Sequence, residues 1–219
     1  MPVTFDNATA TAQTSTVSFT VALTVATNAV LLAFACGKDI ANSVSSMAYN
    51  GVALTRLGQT GARAGGGSVA VEAWGLTAPA AGANNLVVKF VGAAQLWAVG
   101  AVSYLNAKAV GPFGTVQSAT INTSSVITLS VSSTSTGVVA GGWACIDDIS
   151  ATNFTTRKFD NNSYGFRIAD SAGAATISLS AVTGADVASS WAVIGVPIVF
   201  SAAAAGGPAT LMCMIGVSS

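Results

Sequence analysis

The chain has 219 residues, 52% of them apolar and only 7% charged, and its eight basic and eight acidic side chains cancel. An ordinary globular domain carries about 25% charged residues; so low a density with high apolar content excludes a disordered chain, and zero net charge leaves no field to draw in nucleic acid or an anionic membrane surface. Histidine is absent, which excludes Ser-His-Asp and Cys-His catalysis and His-based zinc sites.

The segment Met1-Pro2-Val3-Thr4-Phe5-Asp6-Asn7 has neither a basic n-region nor an apolar h-region and does not read as a Sec-type signal. Either a signal has been removed or the chain stays where it is made until something releases it, and the retained Met1 favours the second. Val17, Phe19, Val21 and Leu23 then share one face of a strand, with Ser18, Thr20 and Ala22 opposite. The run from Asn28 to Cys36 is apolar on both faces and reads as a central strand. Around Asn50-Gly51 two short runs meet in a pair suited to a type I′ turn, because both residues tolerate positive φ. Gly61 to Gly67 reads as a flexible hairpin tip; a phosphate cradle would need a helix after it, and the strand Ser68 to Leu76 follows instead. Leu86, Val88 and Phe90 alternate with Val87, Lys89 and Val91, and Gln95 to Tyr104 is again buried.

Beyond Gly111-Pro112, Ile127, Leu129 and Val131 alternate with Thr128, Ser130 and Ser132, giving a strand with a Ser/Thr outer face. Thr136 to Cys145 is a buried strand, Tyr164, Phe166 and Ile168 alternate with Gly165, Arg167 and Ala169, and Ile177 and Leu179 alternate with Ser178 and Ser180. Trp191 to Phe200 is the last long apolar strand, and Pro197 places its end at an edge or outside the ladder. No segment shows a capped helical repeat. About a dozen strands without a convincing internal repeat indicate one all-β sandwich over residues 1–200, followed by a small-residue linker and an apolar strand-like arm over 201–219. The charge-free stretch after Asp186 is broken by Gly195, Pro197, Gly206, Gly207 and Pro208, so it holds no run of about 20 apolar residues for a membrane span.

Three stretches resemble a widespread bacterial and phage β-sandwich module. Met47-Ala48-Tyr49-Asn50-Gly51-Val52-Ala53-Leu54-Thr55 resembles its V-T-Y-G-G-V-x-L-T hairpin. Val71-Glu72-Ala73-Trp74-Gly75-Leu76 with Pro79 and Gly82 resembles its V-E-I-W-Y-L-x-x-P-x-x-G segment, and Trp191-Ala192-Val193-Ile194-Gly195-Val196-Pro197-Ile198 resembles its D-W-A-I-x-G-V-A-I-K closing strand. Ser190 stands where the module has Asp, and Pro197 where it has Ala. The resemblance implies an antiparallel jelly-roll or concanavalin-A-like sandwich, found in virion and secreted proteins, with no common catalytic site.

Glu72 shares a strand face with Trp74, and an acid beside an aromatic ring is a sugar-binding pair; a two-carboxylate glycosidase would also need an Asp across a cleft. Asp147-Asp148 and the segment to Ser163, with Arg157, Lys158 and Asp160, form the densest polar stretch and read as a loop. Loops on a rigid sandwich carry recognition, and oxygen-rich loops can hold Ca²⁺, although this spacing matches no calcium loop. Cys36, Cys145 and Cys213 lack metal-ligand spacing and read as buried free thiols. In the arm, Thr210, Leu211, Met212, Met214 and Ile215 would fold back or add to a neighbour's sheet. The expectation is a non-enzymatic virion structural protein, most concretely a phage capsid decoration or cement protein. It would carry no cofactor, and its partners would be its own copies and other virion proteins such as the major capsid protein. The alternative is a carbohydrate-binding or adhesive module of a tail fibre or cell surface.

Overall fold

The computed structural model describes residues 1–11, 15–38, 44–64, 67–92, 96–160, 164–183 and 189–200. The first half of the chain runs β1 (Thr4–Ala10), β2 (Ser18–Val25), β3 (Val30–Gly37), β4 (Val44–Tyr49), β5 (Val52–Ala53), β6 (Thr55–Ala64), β7 (Gly67–Leu76), β8 (Gly82–Phe90) and β9 (Trp97–Leu105). The second half runs β10 (Gln117–Ser124), β11 (Val126–Ser132), β12 (Val138–Cys145), β13 (Ile149–Thr152), β14 (Thr155–Asp160), β15 (Gly165–Ala172), β16 (Thr176–Thr183) and β17 (Ser189–Ile198). The expected Asn-Gly turn is present, with φ of 48° at Asn50 and 78° at Gly51.

Four antiparallel sheets result, in the orders β2-β8-β4-β5, β1-β9-β3-β7-β6, β10-β17-β12-β15-β14 and β11-β16-β13. In the first half, β5 and β6 act as one strand that changes sheets at Leu54. The pairs are then first with last (β1 with β9), second with second-last (β2 with β8), third with third-last (β3 with β7) and the central hairpin (β4 with β5). That nested, wound hairpin is a jelly roll. The second half winds the same way, through β10 with β17, β11 with β16 and β12 with β15.

The sequence reading expected one sandwich without a repeat. The sheets instead form two jelly rolls in tandem, stacked as four layers around three apolar clusters. Phe34 and Leu32 of β3 pack against Ala140, Ile168 and Ile194 in the central cluster, whereas Leu31, Ala33 and Ala35 pack outward against Val21, Leu86 and Val88. A third cluster joins Trp143, Trp191 and Val193 to Leu129 and Leu179. This layering explains the two hydropathy patterns. Middle strands of the inner sheets have a core on each face and are buried throughout, as in β3, β12 and β17; outer strands such as β11 are buried at alternate residues only.

The strand registers show that the halves match residue for residue. Gly37 lies opposite Trp97 and Ala70, and Cys145 lies opposite Trp191 and Gly165. Counting from these points aligns Trp97-Ala98-Val99 with Trp191-Ala192-Val193, Glu72 with Arg167, Gly75 with Asp170, and Tyr104 with Ile198. The register shifts once between Arg56 and Gly58 in β6 and once between Thr156 and Lys158 in β14, so Leu57 and Arg157 occupy the same bulge. Phe34 and Gly142 are also counterparts, and they touch: a Cβ on Gly142 would sit 2.6 Å from the Phe34 ring.

Pro197 lies inside a central strand, not at an edge. Its carbonyl accepts from Gly114 N–H at 2.8 Å. Its missing N–H faces the same side, where the β10 ladder has already ended at Gln117, so the pairing with β12 is complete.

Candidate functional site

Glu72 and Trp74 are brought together, but beneath the outer sheet and not on a surface. Glu72 is 3% exposed and Trp74 7%. One carboxylate oxygen accepts from Val44 N–H at 2.9 Å and the other from Trp74 Nε1–H at 3.1 Å. Arg56, 45% exposed, reaches within 3.9 Å of the same carboxylate and lies over the Trp74 ring. Burial is the main influence on the Glu72 carboxyl and raises its pKa, and the three neighbours oppose it in part. The group fastens the start of β4 to β7.

The polar stretch from Asp147 to Ser163 is not one loop, because β13 and β14 run through it. The Thr155–Asp160 segment pairs with β15, which turns its backbone into a sheet edge. Asp147 is half-buried and Asp148 exposed, in the turn between β12 and β13. Lys158 is half-buried, and Asp160 ends β14, with its side chain outside the described part. Arg157 points from its bulge into the junction between the halves. Its Nε donates to Asp170 at 2.8 Å, and its guanidinium lies 3.9 Å from the centre of the Phe5 ring. Tyr104 Oη–H donates to the same Asp170 oxygen at 2.7 Å. Burial first, and the Asp170 charge second, push the Tyr104 phenol well above its ordinary pKa, so it stays a donor.

Asp170, Tyr104, Phe5 and Arg167 were not singled out in the sequence. Arg167 reads as the polar side of an alternating strand, yet it is 8% exposed, and its Nη2 donates to Ile149 C=O at 2.8 Å. Only its alignment with Glu72 identifies its role. Thr210, Leu211, Met212, Met214 and Ile215 lie outside the described residues.

Among the described residues, three cavities open at the surface. One of about 410 Å³ lies between Thr27–Val30, Thr77–Pro79 with Ala81, and Ala107–Ala109, and Lys108 is the charged residue among the described ones that line it. One of about 340 Å³ lies beside the Asn50-Gly51 turn, and one of about 220 Å³ lies between Gly114 and Val199. Neither Glu72, Trp74 nor the Asp147–Asp160 group lines any of them. Among the described residues no three His, Cys, Asp or Glu side chains come together as a metal site, and no helix is long and apolar enough to cross a membrane. Comparison with family models, with curated proteins and with solved structures finds no match to this chain.

Proposed function

We propose that this chain is a non-enzymatic structural protein of a virion, most concretely a capsid decoration or cement subunit that binds its own copies and other shell proteins. The observation that carries this reading is the use made of buried charge. Glu72, Arg167 and Asp170 are the buried charged residues among those described, and each bonds to its own chain: Glu72 to Val44, Arg167 to Ile149, Asp170 to Arg157 and Tyr104. Such groups stiffen a brick, and among the described residues no carboxylate or thiol lines any of the three cavities above. The outer sheets present short uncharged side chains, Ser18, Thr20, Ala22 and Thr24 on one and Thr128, Ser130, Ser132 and Ser178 on the other. The carbohydrate-binding alternative calls for an exposed aromatic platform, and Trp74, Trp97, Trp143 and Trp191 are all buried.

Immunogold electron microscopy with antibody raised against the purified chain tests the reading. Label on the outer shell of virions from the source supports it; particles that stay unlabelled both intact and disrupted refute it. The arm is tested separately. Removing residues 202–219 is expected to weaken assembly onto shells while the sandwich stays folded by far-UV circular dichroism.

A further inference from the structure

We propose that β11 is a self-recognition edge, which pairs antiparallel with β11 of a second copy about a two-fold axis at Leu129. This rests on the self-association part of the function proposed above and names the surface that performs it.

An edge strand exposes backbone donors and acceptors, and folded proteins blunt such edges with bulges, charges or very short strands. Most edges here are blunted. The registers of β1, β6, β10, β13 and β14 each contain a shift, and β5 is two residues long. Among the described residues, the two edges with unbroken register are β2 and β11. Sheet β11-β16-β13 is also without a charged residue in any strand, whereas the sheet of β2 carries Lys89.

The hydrogen bonds define which part of β11 is open. Ser125 C=O accepts from Thr183 N–H and Ser133 N–H donates to Ala175 C=O, so the odd-numbered residues of this segment face β16. The even-numbered residues face away. At one end Ser124 Oγ bonds both Val126 N–H and Val126 C=O; at the other, Gln117 Oε1 accepts from Ser132 N–H. Between these side-chain caps, Thr128 and Ser130 turn two N–H and two C=O groups outward with no partner among the described residues. In an antiparallel pair, opposed residues exchange both of their bonds. Pairing about Leu129 sets Thr128 opposite the partner's Ser130 and Ser130 opposite the partner's Thr128. Four hydrogen bonds form, and every outward backbone group of Thr128 and Ser130 on both edges is used. The window is self-complementary in length, polarity and charge, and its two-fold symmetry closes the contact at a dimer.

An edge of this length buries far less than the roughly 1,600 Å² of a standard interface, so association is weak in solution and is read at high concentration. Sedimentation equilibrium of the full chain up to about 1 mM is expected to show the mass rising from 21.5 kDa toward twice that value. Ser130→Pro removes an outward N–H from each copy, and with it two of the four bonds, without touching the β16 ladder; it is expected to weaken association at least about tenfold. Ala22→Pro, the matched change on β2, is expected to leave association unchanged. Amide exchange supplies a readout that needs no variant: Thr128 and Ser130 gain protection as concentration rises, while Thr20 and Ala22 do not. A mass that stays at 21.5 kDa throughout overturns both this proposal and the self-association it rests on. A mass that rises with no protection at Thr128 and Ser130, or that falls with Ala22→Pro in place of Ser130→Pro, overturns β11 alone.

Discussion

Glu72 and Arg167 occupy the same position in two successive jelly rolls, and each holds the first residue of the neighbouring outer strand by its backbone. Glu72 accepts from Val44 N–H, and Arg167 donates to Ile149 C=O. The register shifts just after Val44 in β4 and just after Ile149 in β13, so both charges anchor a strand start that cannot be held by regular pairing alone. The same structural task is met with opposite charge, because the backbone offers a donor at one site and an acceptor at the other.

This arrangement gives Glu72 a pH dependence of definite sign. Burial raises its pKa in the folded state, so between the ordinary glutamate value, about 4.3, and the raised value the folded chain holds more protons than the unfolded one. Its contribution is therefore fully favourable at low pH and falls as pH rises through that window. Glu72→Gln removes the titration and keeps the size, but its amide nitrogen faces one of the two donors, so it is expected to flatten the slope and to cost about 1–2 kcal/mol at neutral pH. Glu72→Ala strands two buried donors and is expected to cost about 2–3 kcal/mol. Urea midpoints of the three proteins from pH 4 to 8 distinguish these outcomes.

The second exchange lies at the junction of the halves. In the first jelly roll the bulged Leu57 packs beside Gly75, under the Phe113 ring. In the second, Arg157 and Asp170 take those places as an ion pair, with Phe5 over the guanidinium. Tyr104→Phe deletes a hydrogen bond to a buried carboxylate and is expected to cost about 1.5–3 kcal/mol. Asp170→Asn leaves a guanidinium facing Phe5 without its counter-ion and is expected to cost more. A double-mutant cycle of the two by urea unfolding should give strong coupling; additive costs would show that Tyr104 and Asp170 act separately.

These exchanges explain what the sequence concealed. Strand type was legible: two-sided apolar runs such as Val30–Gly37 mark inner layers, and the alternation of Val126–Ser132 marks an outer one. The duplication was not, because the matched positions carry Glu against Arg, Leu against Arg, and Gly against Asp, and Trp-Ala-Val is the one stretch of three that reads alike. Side-chain burial was misleading at Glu72 and Arg167 for one reason. A polar residue on an alternating strand faces water in a two-layer sandwich, but in a four-layer stack the middle strands of the inner sheets, β7 and β15 among them, are covered on both faces. Arg157 was seen in its charged segment, but its bulge, which turns it inward, depends on pairing with β15.

Phe34 and Gly142 are counterparts in the two halves and meet across the central core. A methyl group on Gly142 would come 2.6 Å from the Phe34 ring, closer than packed atoms allow, and β12 is a middle strand with little room to move. Gly142→Ala is expected to cost about 1–3 kcal/mol by overpacking. Phe34→Leu in the same chain should recover part of that loss, although alone it destabilises by leaving a gap above the glycine. Thermal unfolding of the wild type, both single variants and the double variant tests this. Equal losses from Gly142→Ala with Phe and with Leu at position 34 would mean that the two residues do not define the approach of the inner sheets.

Cys36 and Cys145 are fully buried free thiols on β3 and β12. Burial, followed by the nearby Glu72 charge, pushes Cys36 well above its ordinary pKa. Burial is also the largest influence on Cys145, which rises to about 11 despite a contact with Ser189 Oγ. The nucleophile in thiol exchange is the thiolate, so both are expected to resist a disulfide reagent in the native state even at pH 9, where a free cysteine is mostly ionised. In denaturant both should label within minutes. Peptide mapping by mass spectrometry resolves the sites. Rapid native labelling of Cys145 would require β12 and β17 to part at their Ser189 end, and would place the least stable stretch of the inner sheets there.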